Sequence, residues 1–381
     1  ALPPRRTNGG TTSGGGGGGG VLHADHGHRY GNFHNYYHFH SATERLDCLS
    51  DELVRQLLLS AQNRREDGTK RGAGKKGHRF MICDVGCNDG ELTTLMHLKF
   101  DARAVQLHAE AASSATSCTD PSKSAPPMAM CSFGVDIDPV LIDRATARLT
   151  NPALIEPSAP PDAAKPRAAP KLEAEEGSAT TSAASQTVAS TPPSAASTQT
   201  SAAAAVHIPG LLSFVAADLT DRASAESAFS SFEQSCQRAY PIGGDGSSGD
   251  GGAGGPPLFE LITVFSVTMW VHLNHGDEGL KNFLWFLADR ARCLIIEPQP
   301  WKCYRQAATR LRRQGRPMPA WYDLLAAKPS EEKKMEQWIE ACLVKGGGDG
   351  GRGAGGAQFT CRELSDGAGA WKRKLLLFER A

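Results

Sequence analysis

The 381-residue chain lacks several patterns that would assign it to a specialised class. Its 41 basic and 41 acidic residues cancel, so net charge gives no sign of a nucleic-acid partner and only local clusters can. Its ten cysteines form no CxxC pair, which favours reduced thiols inside a cell over disulfides or a zinc site. No apolar run reaches the roughly eighteen residues of a membrane span, and we expect neither a membrane nor a metal partner.

Apolar side chains are also scarce in four tracts, which leaves about 250 residues to form a core. The tracts, rich in Gly or in Ala, Ser, Thr and Pro, are residues 9–20, 151–206, 242–257 and 346–357. Such compositions bury too little apolar surface to offset the entropy of ordering. We predict a disordered segment over residues 1–29 and one domain over residues 30–381, with the last three tracts and residues 107–130 as insertions. Because the sequence starts at Ala1, we expect the true N-terminus to be missing and leave a targeting peptide open.

Apolar runs of strand length alternate with helix-like segments along the rest of the chain. The predicted strands are 79–85, 132–136, 211–216, 260–265, 293–297, 358–363 and 374–378. The predicted helices are 46–59, 90–100, 139–149, 223–237, 279–292 and 331–344. The first five strands are nearly continuous in apolar residues, as expected for parallel strands covered on both faces. We therefore predict an α/β fold with a Rossmann-like, doubly wound, mostly parallel, seven-stranded sheet.

A strand-to-helix turn with two glycines follows the first strand, in the segment FMICDVGCNDG. Gly86 and Gly90 would allow a ligand to approach the backbone closely. Their G-x-x-x-G spacing differs from the G-x-G-x-x-G of dinucleotide binders, which argues against a dehydrogenase and for a cofactor without a pyrophosphate. Asp84 would then face the ammonium of the cofactor and Asn88 its amino-acid end. A plain tight turn is the alternative interpretation.

Acidic residues also end the second and third predicted strands. Asp136, followed by Ile137, is placed where ribose hydroxyls bind in such folds, about fifty residues after Gly86. Asp218, followed by Leu219, could accept a hydrogen bond from an adenine amino group. Each acid alone could be a solvated surface group. Because the carboxyl ends of parallel strands meet at one edge of the sheet, we interpret the three acids together as a cofactor site.

A basic segment with aromatic residues follows the fifth strand. Residues 301–316 contain six cations and no acid: Lys302, Arg305, Arg310, Arg312, Arg313 and Arg316. Most charge runs are solvated helix faces, but this one begins where substrate binds and carries Trp301 and Tyr304. Cations beside aromatic rings indicate an anionic acceptor that bears a base.

The longest motifs resemble those of the bicoid-interacting family of RNA methyltransferases. They are YGNFHNYYHFH (30–40), DVGCNDG (84–90), DIDPVLIDRA (136–145), SVTMWVHLNHGDEGL (266–280) and EPQPWKCYRQAATRLRR (297–313). The segment WKCYR is similar in particular to the cytoplasmic branch, which methylates RNA 5′-monophosphates, notably that of histidine tRNA. The nuclear branch, which methylates the γ-phosphate of 7SK RNA, differs after Trp301.

The resemblance implies a class I S-adenosylmethionine-dependent methyltransferase fold with S-adenosylmethionine as cofactor. Donor contacts would come from Arg45, Asn88, Asp136, Asp218, Leu219 and Phe265. Tyr36, Tyr37 and Phe39 would form a lid over the donor and the RNA end; their alternative role is to pack in the core. The resemblance also implies a cytoplasmic location, with a nuclear one open.

The resemblance to the cytoplasmic branch implies transfer of a methyl group to the 5′-monophosphate of RNA. Lys302, Arg305, His272 and His275 would fix the phosphate, with Trp301, Tyr304 and Arg310 holding the RNA end and Glu297 orienting Lys302 or a histidine. His272 could instead act as a general base, or both histidines could be structural. The alternatives are capping of a γ-phosphate, a methyltransferase for small molecules or proteins, and an inactive RNA-binding relative. The specific RNA, the number of methyl groups added and the oligomeric state are left open.

Overall fold

The computed structural model describes residues 37, 41–70, 79–114, 128–151, 208–241, 259–326, 334–344, 358–364 and 373–381. The helices are α1 (Ala42–Asp47), α2 (Asp51–Lys70), α3 (Glu91–Ser114), α4 (Pro139–Thr150), α5 (Arg222–Ala239), α6 (Thr268–Arg290), α7 (Trp301–Arg313) and α8 (Lys334–Val344). The strands are β1 (Arg79–Val85), β2 (Ala129–Asp136), β3 (Leu211–Ala216), β4 (Phe259–Phe265), β5 (Ala291–Glu297), β6 (Phe359–Glu363) and β7 (Leu376–Arg380).

The strands form one seven-stranded sheet in the order β3-β2-β1-β4-β5-β7-β6. Strands β1 to β5 are parallel to one another, whereas β7 is antiparallel to both β5 and β6. The strand order reverses at β1, so that β2 lies on one side of it and β4 on the other. The doubly wound, mostly parallel, seven-stranded sheet predicted from the sequence is confirmed, and such sheets bind ligands at the reversal point.

The apolar core lies on both faces of this sheet. On one face α5 to α8 pack on strand residues such as Val264 and Ile296. On the other face α1 to α3 pack on residues such as Leu261 and Ile295. Neighbouring strand residues thus enter opposite layers, which is why the sequence shows continuous apolar runs instead of alternation.

Polar side chains fix where two of the helices begin. Asp138 caps α4 by accepting a hydrogen bond from the N–H of Val140 at 2.9 Å, and Pro139 is the first helical residue. Asp221 caps α5 by accepting from the N–H of Ser224 at 2.8 Å. Such caps satisfy donors that a helix start leaves without a partner inside the helix. They position the segments that follow β2 and β3, next to Asp136 at the end of β2 and Asp218 just after β3.

The predicted insertions fall largely outside the described residues. The described residues next to 107–130, 151–206 and 242–257 lead into the amino ends of β2, β3 and β4. These insertions therefore join the sheet at the edge opposite to the carboxyl ends of the parallel strands. Helix α3 continues to Ser114 and so includes the first residues of the predicted insertion 107–130.

Helix α6 begins eleven residues before the predicted 279–292 and includes the motif that follows β4. It bends at Gly276, whose φ of 73° and ψ of −175° are not helical. Only glycine adopts such angles easily. Because the helix bends there, the apolar pattern of α6 is not continuous across Gly276, and the sequence did not show one long helix. A Cβ atom at Gly276 would lie 2.7 Å from Cε3 of Trp321, which leaves no room for a side chain.

Replacing Gly276 tests this bend. We expect Gly276→Ala to lower the free energy of unfolding more than Gly315→Ala does. Both positions have positive φ, but a Cβ at Gly315 meets nothing within 4 Å. Gly315→Ala should therefore cost only the backbone term of about 1–2 kcal/mol, and Gly276→Ala should add the displacement of Trp321. Urea unfolding of both variants measures the difference, and equal losses would contradict a tightly packed bend.

Candidate active site

A cavity of 710 Å³ opens at the carboxyl ends of the parallel strands. Its lining includes residues at or just after all five of them: Val85 and Gly86, Val135 and Asp136, Ala217 and Asp218, Phe265 and Ser266, and Gln299. Residues of α6, α7 and the segment before β7 complete the wall. The volume lies in the range of about 300–1,000 Å³ that small-molecule and cofactor sites occupy. The predicted site edge is therefore the edge that holds the cavity.

The turn after β1 forms one wall of the cavity. Gly86 has a φ of 74°, and its N–H donates to the carbonyl of Val135 at 2.7 Å. Asn88 also has a positive φ of 53°, an uncommon conformation for a residue with a side chain. Its N–H donates to Oδ2 of Asp136 at 2.9 Å, which ties the turn to the end of β2. Strained backbone held this firmly is often found where a ligand lies against the chain.

Asp136 is a buried carboxylate in the cavity wall. Besides the bond from Asn88, its Oδ1 accepts from the N–H of Asp138 at 3.0 Å. Burial raises the pKa of Asp136 to about 6, although these backbone hydrogen bonds oppose the shift. Each carboxylate oxygen has a second lone pair with which it can accept a bond from a ligand hydroxyl. Asp136 and the neighbouring Ile137 lie where the sequence placed them.

Asp84 is not among the residues that line the cavity, contrary to its predicted contact with the ammonium group of a cofactor. Its two carboxylate oxygens accept from the hydroxyls of Thr93, at 2.6 Å, and Thr263, at 2.7 Å. Burial raises its pKa to about 6 against these hydrogen bonds and the charge of Arg45. Gly90 does not line the cavity either. It lies just before α3 and packs against the ring of Phe214: a Cβ atom added to Gly90 would lie 2.6 Å from Cζ of that ring.

A hydrogen-bonded chain joins the loop after β3 to α6. Oδ1 of Asp218 accepts from both the N–H and the hydroxyl of Thr220, at 2.8 Å and 2.5 Å. The Thr220 oxygen lies 3.2 Å from Nε2 of His275. Asp218, Leu219, Thr220 and His275 all line the cavity. His275 is thereby positioned between the acidic part of the wall and the part formed by α6 and α7.

Glu297, at the end of β5, is fully buried between two arginines. Its Oε1 accepts from Nη1 of Arg373 at 2.6 Å, and its Oε2 lies 3.3 Å from Nη2 of Arg45. The hydroxyl of Ser266 donates to Oε1 at 3.1 Å and accepts from both arginines, at 2.9 Å from Arg45 and 2.8 Å from Arg373. Two positive charges therefore share one carboxylate, which leaves the cluster one positive charge in excess. Glu297 orients arginines and not Lys302 or a histidine, which corrects the prediction.

Helix α7 directs only part of its charge to the cavity. Cys303, Gln306, Ala307 and Arg310 line the wall, at the spacing of three and four that marks one helix face. Lys302 and Arg305 lie on another face and are exposed, so the structure does not bring them to the cavity. Arg310 is half-buried, and burial lowers its pKa from the usual arginine value. The cations in the wall are Arg45, Arg310 and Arg373, beside the two acids Asp136 and Asp218.

His272 lies on the buried side of α6 and does not line the cavity. Its Nε2 lies 2.9 Å from Oδ1 of Asp277, and its Nδ1 lies 3.0 Å from the hydroxyl of Tyr304. Burial lowers the pKa of His272 despite Asp277, which favours the neutral ring. In that form Nε2 donates to the carboxylate and Nδ1 accepts from the tyrosine. Both ring nitrogens are thus engaged, which argues against a role as general base.

The predicted aromatic residues are divided between core and cavity. Tyr304 is fully buried and stacks on Trp301 at a centroid distance of 4.9 Å, and neither lines the cavity. Tyr37 does line it, and burial raises the pKa of its hydroxyl well above the usual value. Phe265 lines it as well, with the guanidinium carbon of Arg45 at 5.7 Å from its ring centroid. Tyr36 and Phe39 lie outside the described residues.

Several wall residues were missed from the sequence: Ser266, Thr220, Trp270, Asn274, Gln299 and Arg373. Ser266 follows directly after β4, and Gln299 lies two residues after β5. Because ligands bind at the carboxyl ends of parallel strands, both could have been predicted from the sequence. Ser266 also has a positive φ of 59°. Oε1 of Gln299 accepts from the hydroxyl of Thr268 and the N–H of Met269, at 2.8 Å and 2.9 Å, and so holds the start of α6.

Two searches of the described residues complete the survey. Within these ranges no group of three or more His, Cys, Asp or Glu side chains has the arrangement of a metal site. Of the helices described, none combines the length and the apolar character that a membrane crossing requires.

Comparisons with known proteins point to one family. The family model of Bicoid-interacting protein 3 (Bin3) matches residues 259–345, from the start of β4 to just after α8. The chain is 28% identical over 286 residues to an RNA 5′-monophosphate methyltransferase of Bos taurus, covering 75% of this chain and 63% of that protein. It is 28% identical over 297 residues to a pre-miRNA 5′-monophosphate methyltransferase of Xenopus laevis, covering 78% and 76%. The resemblance to the bicoid-interacting family is confirmed.

Two further matches are partial or remote. A segment of 51 residues is 45% identical to the 7SK snRNA methylphosphate capping enzyme of Mus musculus, covering 13% of this chain and 8% of that protein. Among solved structures, magnesium protoporphyrin IX methyltransferase from Synechocystis PCC 6803 with bound SAH aligns with a TM-score of 0.32 and 11% identity, covering 93% of this chain and all of that one. The observed sheet order and the methyltransferase relatives agree with the predicted class I methyltransferase fold.

The buried acids predict how stability changes with pH. A carboxyl group whose pKa is raised on folding stabilises the fold at low pH and loses this effect as pH rises through its folded-state pKa. Asp136 has a folded pKa of about 6, against about 3.9 when unfolded. We expect the ligand-free protein to lose about 3 kcal/mol through Asp136 between roughly pH 4 and pH 7.

Asp136→Asn should remove this part of the pH dependence. Urea unfolding at several pH values measures it, with the exposed Asp143→Asn on α4 as the matched control. An unchanged pH dependence in Asp136→Asn would contradict the assignment of the raised pKa to this group.

Proposed function

We propose that this chain, whose residues 259–345 match the Bin3 family model, transfers a methyl group from S-adenosylmethionine to the 5′-monophosphate of an RNA. One observation carries the proposal: the cavity is acidic near β2 and β3 and cationic near β4, β5 and α7. Asp136 and Asp218 lie in the first part, and Arg45, Arg310 and Arg373 in the second. Such a division suits a donor rich in hydroxyl and amino groups beside an anionic acceptor.

The first part of the cavity fits the donor. Asp136 would accept from the ribose hydroxyls, and Asp218 with the backbone of Leu219 would hold the adenine. Gly86 lets Val267 pack closely against this turn, because a Cβ atom at Gly86 would collide with Cγ2 of Val267. Asn88 and, from the cationic part, Arg45 would bind the amino-acid end, and a guanidinium is a suitable partner for a carboxylate. S-adenosylmethionine supplies an electrophilic methyl group on a sulfonium.

The second part of the cavity fits a phosphate. Arg373 is oriented by Glu297 and Ser266, and Arg310 reaches the same cavity from α7. His275 and Asn274 add hydrogen-bonding groups beside them. Arginine presents donors in a planar arrangement that matches phosphate oxygens. We assign Arg310 and Arg373 to binding the acceptor phosphate, in place of the predicted Lys302 and Arg305.

This arrangement positions the reacting groups and does not need a deprotonating residue. The second pKa of a phosphate monoester is about 6, so the terminal phosphate is mostly dianionic near neutral pH. Aligning its oxygen with the methyl group is then the main contribution of the protein. Sharing Glu297 moderates the charge of Arg45 and Arg373, which leaves the phosphate oxygen nucleophilic.

The named relatives support this acceptor. The bovine and Xenopus proteins are methyltransferases of RNA and pre-miRNA 5′-monophosphates, although this chain spans only 63% of the bovine protein. A second candidate is methylation of a γ-phosphate, which the match to the 7SK capping enzyme favours. That match covers 51 residues, so we rank it second.

Comparing three transcripts of one sequence tests the acceptor. With labelled methyl donor, we expect transfer to the 5′-monophosphorylated RNA, little to the triphosphorylated RNA and none to the dephosphorylated RNA. Preferred transfer to the triphosphorylated RNA would favour the second candidate. Equal transfer to the dephosphorylated RNA would rule out a phosphate acceptor.

Arg310→Gln tests the assignment of the phosphate site. Losing a charged hydrogen bond should lower kcat/KM for a 5′-monophosphorylated RNA by roughly 10- to 100-fold. Calorimetry should show donor binding close to that of the unaltered protein, because Arg310 is assigned to the acceptor. Arg55→Gln removes a charge from the exposed surface of α2 and serves as the control. An unchanged kcat/KM in Arg310→Gln would contradict the assignment.

A further inference from the structure

Helix α7 carries a second set of cations that the proposed reaction does not use. Lys302, Arg305, Arg312 and Arg313 are exposed and repeat, with Thr309 between them, at spacings of three and four. They therefore form one face of the helix, which we call the solvent stripe. The face of α7 that lines the cavity lies next to the solvent stripe. Its residues Gln306 and Arg310 directly follow Arg305 and Thr309 in the sequence.

The charge of the stripe is unbalanced. Helix α7 contains no Asp or Glu from Trp301 to Arg313. Within the described part of the chain, none of the four stripe cations forms an ion pair with a carboxylate. Four like charges on one exposed face repel one another, and a partner with negative charges would relieve this repulsion. The stripe is thus a surface of one sign next to the face of α7 that lines the cavity.

Aromatic packing holds α7 in a fixed orientation. Trp301 stacks between Tyr304 and Tyr322, at centroid distances of 4.9 Å and 5.8 Å. The guanidinium carbon of Arg312 lies 5.7 Å from the ring centroid of Tyr322. The buried side of the helix is formed by Tyr304, Ala307, Ala308 and Leu311. The stripe is therefore carried on a well-packed helix, with its cations spaced along roughly 15 Å of helix.

We propose that the solvent stripe binds the phosphate backbone of the RNA downstream of its 5′ end. This inference rests on the proposed function and adds to it a site outside the cavity. The cavity would bind the terminal phosphate, whereas the stripe would bind the following nucleotides without reading their sequence. Helix α7 serves both sites, with Arg310 on one face and the stripe on the next. Affinity should then depend on RNA length and on salt.

Paired substitutions separate the stripe from the cavity. Arg312→Gln/Arg313→Gln and Lys302→Gln/Arg305→Gln each remove two stripe charges. Arg55→Gln/Arg362→Gln removes two exposed charges outside α7, on α2 and β6, and is the matched control. The acceptors are a 5′-monophosphorylated dinucleotide and a 5′-monophosphorylated RNA of about 20 nucleotides. KM and kcat are measured for both at several salt concentrations.

We expect each stripe variant to raise KM for the long RNA about 10-fold at low salt and to reduce the slope of log KM against log salt by about 1–2. KM for the dinucleotide, and both values in the control variant, should stay within about twofold of the unaltered protein.

Three outcomes would overturn the inference. An unchanged salt slope in both stripe variants would show that the stripe does not contact phosphates. Equal losses on the dinucleotide and the long RNA would place the effect in the cavity or in the fold. If the unaltered protein methylates neither acceptor while binding the donor, the proposed function itself fails, and this inference with it.

Discussion

The buried carboxylate of Glu297 organises the cationic half of the cavity. It ends β5, and its two oxygens hold Arg45 from α1 and Arg373 from the segment before β7. Removing one member of such a buried set leaves a charge without compensation, which is costly in a protein interior. The cluster therefore ties both ends of the described chain to the central strands. Without it both arginines would lose this carboxylate partner, which orients two of the three arginines in the wall.

The opposite half of the cavity depends on Asp136, a carboxylate that is buried before any ligand arrives. Burial raises the pKa of Asp136 to about 6. Desolvated carboxylates are strong hydrogen-bond acceptors, and a cationic ligand nearby would favour their charged form. Asp136 and Asp218 lie at or just after the ends of β2 and β3, whereas Arg45 and Arg373 contact residues at the ends of β4 and β5 of the same sheet. The strand order thus separates the two signs of charge across one cavity, so that a cationic donor and an anionic acceptor can lie side by side.

The sheet and the acidic half of the site could be predicted from the sequence because they follow local rules. Apolar runs predict the strands, and acids at strand ends predict Asp136 and Asp218. On a helix, the spacing of three and four places Arg310 on a different face from Lys302 and Arg305. The sequence alone would have shown this if residues 301–313 had been predicted as a helix. Arg373 had no local signal: it reaches the end of β5 only because β7 runs antiparallel and pairs Leu376 with Ile296. The bend at Gly276 likewise hid the first half of α6.

The central claim is that this cavity transfers a methyl group to a phosphate oxygen, and the bond formed can be observed directly. With a donor carrying a ¹³C-labelled methyl group and a 5′-monophosphorylated RNA, nuclear magnetic resonance of the product shows what the new carbon is attached to. The account predicts a methyl carbon coupled to a single phosphorus nucleus at the 5′ end of the RNA. A labelled methyl carbon with no coupling to phosphorus, on a ribose or a base, would contradict it.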